Sequence, residues 1–319
     1  MGRRDPRADA IDQDPFRDAQ RSAKRVHRVH QHVDREGTVH IDAPPAFASA
    51  MAQFFGQETW AKPQHHQGKL WHFSDVEKHH LRQAMGAFTL ALGFIAVGGL
   101  TGVNYYGTST WLVMLLLSMP VMFIAVGPAF LFHEIGHKLV AKRNGCWAEF
   151  RADPKGLQFG IVLSLLLGFL FMAPGAVMVA GLVSRRQNGH IAVAGPLTNL
   201  GLFLIGIPLW GLILGLTGAF EGLPEVAQRA QYIVDGRLIW QQMLIDCGVF
   251  WLAANLGLGL FNMLPFGPLD GLKVRDWSEK AFFATILVFI IPVVAFFFGY
   301  WSPTNLLTAV ANPVSAMIR

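Results

Sequence analysis

Charge is what this 319-residue sequence has least of. Asp, Glu, Lys and Arg make up 15% of it, against about 25% in a soluble globular domain. That shortfall excludes an ordinary water-facing surface over most of the chain. Cysteine is scarce as well. Cys146 and Cys247 are the only two, which excludes a disulfide framework. No long apolar run falls in the first 80 or so residues, so no secretory signal peptide is expected there. What is abundant points one way. The chain is 52% hydrophobic, with 33 Gly and 25 Phe. This composition excludes disorder of the whole chain and suits helices packed in lipid.

The net charge of +5 is unevenly carried. Half of the 26 Lys and Arg and 11 of the 21 acids lie in residues 1–83, so that segment is nearly balanced. Its basic cluster Arg21, Lys24, Arg25 and Arg28 reads as a solvated stretch facing its own membrane, and no nucleic-acid partner is expected. His27, His30, His32 and His40 lack the fixed Cys/His spacing of a zinc module. Residues 1–80 are therefore expected to form a polar, partly disordered cytosolic segment, and residues 81–319 a membrane domain.

A helix needs about 20 apolar residues to cross the hydrocarbon core. Ala84–Gly102, Trp111–Phe132, Ile191–Leu216, Met243–Leu264 and Ala281–Trp301 qualify. Orientation follows from the basic residues in short loops. The 138–156 loop carries Lys138, Lys142, Arg143, Arg151 and Lys155 and is expected in the cytosol. Arg185 and Arg186, and Lys273, Arg275 and Lys280, fit the same side. The 104–110 and 217–242 loops suit the outside. Cys146 and Cys247 then lie near opposite faces and are not expected to pair. The tail 302–319, interrupted by Pro303 and Pro313, reads as a short interfacial helix on the outside.

Ionisable groups in or beside a span cost roughly 2.5–3.5 kcal/mol each on insertion scales, so their presence needs a reason. Residues 131–137 read Leu-Phe-His-Glu-Ile-Gly-His. His133 and His137 are four apart and share a helix face. Two imidazoles on one face can bind one zinc ion, with Glu134 beside them as a general base. A catalytic zinc takes three protein ligands and keeps one position open. Asp270 suits the third place best, because Pro265 and Pro268 break the helix just before it. Asp246 and Asp153 are its rivals. Asn255 and Asn262, seven apart, share a helix face and read as packing residues.

Three motifs together carry a resemblance. His133-Glu134-Ile135-Gly136-His137, then Gly195-Pro196-Leu197-Thr198-Asn199, then Asn262, Pro265, Pro268, Leu269, Asp270 and Gly271 look like the site-2 protease family of intramembrane zinc metalloproteases, in a prokaryotic, archaeal-like form. The resemblance covers roughly 111–275. It implies one zinc ion per chain, held by His133, His137 and Asp270, with Glu134 as catalytic base and Asn199 as a stabiliser of the oxyanion. Leu272 stands where many members have a second Gly.

A shared metal imposes parity. The three ligands must lie on one side, so an even number of crossings must separate them. Two runs already supply two crossings. The remaining apolar stretch, Leu157–Val183, is then expected to dip in and return, as a helical segment over 157–173 and extended chain over 174–183, where Val177 and Val179 favour a strand. The expected fold is an all-α polytopic membrane protein. It has about five to six transmembrane helices and a re-entrant helix/strand segment between the helix of the two His and the Gly-Pro-Leu-Thr-Asn helix. The expected function is a zinc-dependent endopeptidase of the cell membrane, with its N-terminus and active site on the cytosolic side. Its partners are the lipid bilayer and a transmembrane protein substrate. Its alternatives are an ion or proton carrier using the same buried groups, and a catalytically silent scaffold.

Overall fold

The chain divides into two units, Met1–His66 and Gln67–Arg319. The computed structural model describes residues 31–33, 39–41 and 70–318, except 170, 171, 173, 181, 182, 222, 224–231, 235 and 268. In the first unit, β1 (Gln31–Val33) pairs antiparallel with β2 (Val39–Ile41), and His32 stands opposite His40. His27, His30 and the basic cluster at 21–28 lie outside the described residues.

The second unit begins with α1 (Asp75–Ala96), capped by the Ser74 hydroxyl, which accepts from the Glu77 amide. It therefore runs across the expected boundary at 80. The apolar run Ala84–Gly102 does not continue as one helix. Gly98 and Gly99 take positive φ, a conformation open to glycine, and a short helix α2 (Thr101–Tyr106) follows. Helix α3 (Thr108–Arg143) has 36 residues, or about 54 Å, so its last turns extend well beyond a span of about 30 Å.

Strand β3 (Trp147–Ala152), helix α4 (Pro154–Leu167) and strand β4 (Gly175–Ala180) come next. Asp153 caps α4 and Pro154 begins it, a favoured start because proline lacks the amide that would be unsatisfied there. The two strands pair antiparallel from Trp147↔Ala180 to Ala152↔Gly175, so the chain leaves and returns at one place. The extended stretch lies where the sequence suggests it. Its partner β3 falls within the 138–156 stretch, where the sequence predicts a loop.

Helix α5 (Arg185–Thr217) opens with a capping box between Ser184 and Gln187. A small hairpin, β5 (Ile233–Val234) with β6 (Arg237–Leu238), leads to α6 (Trp240–Asn262). Helices α7 (Asp270–Trp277), α8 (Glu279–Phe297) and α9 (Pro303–Ile318) complete the described chain. Among the described residues, four helices, α3, α5, α6 and α8, are long and apolar enough to cross a membrane.

Helices α3, α5 and α6 pack on one another, α1 lies on α3, and α9 lies along α5. Small residues bring the backbones close, as they must where lipid gives no hydrophobic drive between helices. A Cβ at Gly206 would meet the Trp251 ring at 2.5 Å, and one at Gly259 would overlap Phe289. Charge also holds the unit together. Glu77 of α1 pairs with Lys138 of α3 and accepts from the Phe150 amide of β3 at 3.0 Å. Glu149 of β3 takes Arg151 at 2.9 Å and the Ser74 hydroxyl at 2.8 Å. This cluster fixes the β3–β4 hairpin against the end of α3 that carries the two histidines.

Candidate metal centre

Helix geometry puts His133 and His137 on one face of α3, with their rings 4.6 Å apart. The opposing wall is α5, and two glycines let it approach. A Cβ on Gly136 would meet Thr198 Oγ1 of α5 at 2.5 Å, and one on Gly195 would overlap His137 Nε2. Asp270 arrives as the first residue of α7. A Cβ on Gly271 would overlap the Met263 carbonyl, so glycine there lets the helix fold back onto the loop before it. All three residues are buried.

The protonation of the rings follows from their partners. His133 Nδ1 is 2.6 Å from Asn199 Oδ1, and His137 Nδ1 is 2.7 Å from the Ile191 carbonyl oxygen. Both oxygens only accept, so both Nδ1 atoms carry the proton and donate. The Asn199 orientation is itself fixed. Its Nδ2 donates to the Ala129 carbonyl at 2.9 Å and to Asn255 Oδ1 at 3.0 Å, and Asn255 Nδ2 donates to the Trp251 carbonyl at 2.9 Å. Each Nε2 therefore presents a lone pair.

These lone pairs face each other across 3.0 Å. Asp270 Oδ2 lies 3.3 Å from His133 Nε2 and 3.1 Å from His137 Nε2, and it is buried with no hydrogen-bond donor. Three acceptors held this close repel unless a cation lies between them. The triangle also has the right size. Ligands at about 2.0–2.1 Å around a tetrahedral ion stand roughly 3.3–3.4 Å apart. Two imidazoles and a carboxylate, each imidazole braced through its other nitrogen, fit a catalytic metal with one open position.

Glu134 is buried beside this triangle, and the Val177 backbone of β4 is within hydrogen-bonding reach of its carboxylate. A cavity of about 810 Å³ contains His133, Glu134, His137 and Asp270, and β4 forms part of its wall. Lys273 lines it too, with Nζ 3.6 Å from Asp270 Oδ1.

The sequence-predicted residues thus divide. His133, Glu134, His137 and Asp270 meet in one cavity. Asn199 is fully buried behind His133 and has spent both Nδ2 protons, so none is left for an oxyanion. Asp246 is bound by Tyr232 and Gln242, and Asp153 caps α4; neither joins the triangle. Asn262, read as a packing residue, lines the cavity and gives one Nδ2 proton to the Leu258 carbonyl. Its position eight residues before Asp270 was the available signal.

Helices able to span a membrane, with a two-histidine, one-aspartate centre and a glutamate beside it, define a metallopeptidase class. The model of Peptidase family M50 matches residues 121–287, and the chain belongs to that family, the site-2 proteases. A Methanocaldococcus jannaschii protein named "Putative zinc metalloprotease MJ0611" is 38% identical over 156 residues, covering 49% of this chain and 69% of that one. A Bacillus subtilis protein named "Putative zinc metalloprotease YwhC" is 30% identical over 166 residues, covering 50% and 68%. No solved structure matches the chain.

Proposed function

We propose that the chain is a zinc-dependent intramembrane endopeptidase that cuts transmembrane segments of other proteins. The observation that carries this reading is the triangle of three buried acceptors, beside Glu134, in a cavity among apolar helices. His133, His137 and Asp270 hold the metal. Zinc there supplies Lewis-acid polarisation of the scissile carbonyl and lowers the pKa of a bound water to about 7. Glu134 accepts the proton of the attacking water and returns it to the leaving amine. Asn262 has an Nδ2 proton available to steady the oxyanion. Asn199 is a positioning residue that holds the His133 tautomer.

Location gives the substrate class. The basic residues near the C-terminal ends of α3 and α7 favour a cytosolic setting for the centre, with residues 1–80 and the N-terminus on the same side. Helix α1, 22 residues long, makes a fifth crossing on this reading. Helix α4 has 14 residues, or about 21 Å, too short for a span of about 30 Å. The pairing of its flanking strands supports a re-entrant loop.

A helical substrate must unwind before attack, because its amides are hydrogen-bonded and wrapped by side chains. Strand β4 offers the unwound stretch a pairing edge. Val177 turns its backbone toward Glu134, away from β3, and Val179, two residues on, turns the same way. Val179→Pro therefore removes a free-edge amide and spares the β3–β4 ladder. It is expected to cut cleavage sharply while the protein remains folded; full activity would remove the pairing role.

The main test uses protein purified in detergent, with zinc and a transmembrane peptide. Glu134→Gln is expected to retain about one zinc per chain and to lose about 10²–10⁴ in rate. Equal cleavage by that variant, or wild type that takes up no zinc, overturns the reading. Metal-independent ion flux would favour a carrier.

A further inference from the structure

The cavity is longer than a site for one peptide bond requires. Along α3 its lining runs from His133 back to Met122, eleven residues or about 16 Å, on the side away from Lys138. This lobe lies among α1, α3 and α6. Leu92, Ile95, Met122, Val126, Phe250 and Gly257 are among the residues that line it, and all six are apolar.

Gly257 is the informative position. Glycine inside a helix costs about 1 kcal/mol relative to alanine, so it needs a compensating use. Two residues further on, Gly259 has one, because a Cβ there would overlap the Phe289 ring. At Gly257 a Cβ would meet nothing within 4 Å, and its backbone is ordinary α-helix. Neither packing nor backbone conformation requires glycine at 257. What its missing side chain provides is room, since the open lobe reaches the α6 backbone.

We propose that this lobe is the specificity pocket of the enzyme. It takes a large apolar side chain of the substrate, next to the scissile bond on the membrane-deep side, and Gly257 keeps it open. The proposal rests on the protease reading above and adds to it a preference by volume. An apolar pocket selects weakly per methylene, at most about 10–200-fold for one group, so the preference is a matter of tens.

The test uses full-length protein in lipid nanodiscs with zinc. Three transmembrane peptides carry Ala, Leu or Phe next to the cut bond on the deep side, with cleavage sites read by mass spectrometry. Wild type is expected to favour Leu and Phe over Ala by about tenfold in kcat/KM. Gly257→Phe fills the lobe; it is expected to cut the Ala peptide well, to lose the other two, and to keep its zinc. Gly257→Ala is a milder variant, expected to narrow the ratio part of the way. Unchanged ratios in both variants, or a wild type that cuts all three peptides equally, overturn the pocket and leave the protease standing. A zinc-loaded wild type that cuts none overturns both.

Discussion

Two buried aspartates in this protein teach how to tell a site from a strut. Asp246, in α6, is 2% exposed. Tyr232 Oη donates to its Oδ2 at 3.0 Å and Gln242 Nε2 to its Oδ1 at 2.8 Å. Burial and the neighbouring Asp246 carboxylate push the Tyr232 phenol above its ordinary range, so it remains a donor at any physiological pH. Asp270 is nearly as buried, at 6%. Its Oδ2 has no donor and faces two imidazole lone pairs. One carboxylate is satisfied by its own protein and ties a loop to a helix. The other lacks a donor for its Oδ2 and, with the two imidazoles, offers a place for a cation.

Asp270→Ala should have the largest effect. On the proposed reading it removes one of three ligands, and zinc per chain, read by atomic spectroscopy after dialysis, is expected to fall from about one to a small fraction. Cleavage should fall below detection while the helical circular dichroism is unchanged. Full zinc occupancy in that variant would erase the distinction between the two acids.

The braces come next. Asn199→Ala takes the acceptor from His133 Nδ1 and frees the ring to carry its proton on Nε2, where it would oppose the metal. Loss of such a partner typically costs 10–100-fold in metal affinity. Asn255→Ala removes one of the two acceptors that orient Asn199, leaving the Ala129 carbonyl, and is expected to cost severalfold. Competition with a zinc-chelating dye measures both. Equal effects, or none, would mean that the amide chain does not control the tautomer.

Legibility in the sequence tracks locality. His133 and His137 were readable because four residues of helix fix their relation. Asp270 was readable by resemblance and by the prolines before it. The sequence singles out Asn199, but only the fold reveals that Ala129 and Asn255 claim its protons. The charge map has the same weakness. Lys138, Lys142 and Arg151 read as residues of a cytosolic loop, yet all three are buried. Their partners include Glu77 for Lys138 and the His72 carbonyl for Lys142, 61 and 70 residues away. No periodicity signals such pairs, and β3, which carries Glu149 and Arg151, was missed for that reason.

The same cluster yields a stability prediction. Glu77→Ala leaves Lys138 buried without its counter-ion, a change that typically costs about 3–5 kcal/mol. The double variant Glu77→Leu with Lys138→Met removes both charges and should recover much of that loss. Thermal unfolding of the zinc-loaded protein reads both. A double variant no more stable than the single one would show that hydrogen bonding to β3, and not charge pairing, dominates there.

Asp246→Asn closes the comparison with the smallest effect. The asparagine keeps one oxygen for Gln242 and turns its amide toward Tyr232, whose hydroxyl can rotate and accept. Both hydrogen bonds lose their charge assistance, a change of about 2 kcal/mol. Zinc content and cleavage rate are expected to match wild type, because nothing in this cluster touches the triangle at Asp270. A loss of zinc in Asp246→Asn would mean that the two ends of the bundle are coupled, and that donor satisfaction alone does not separate a strut from a site.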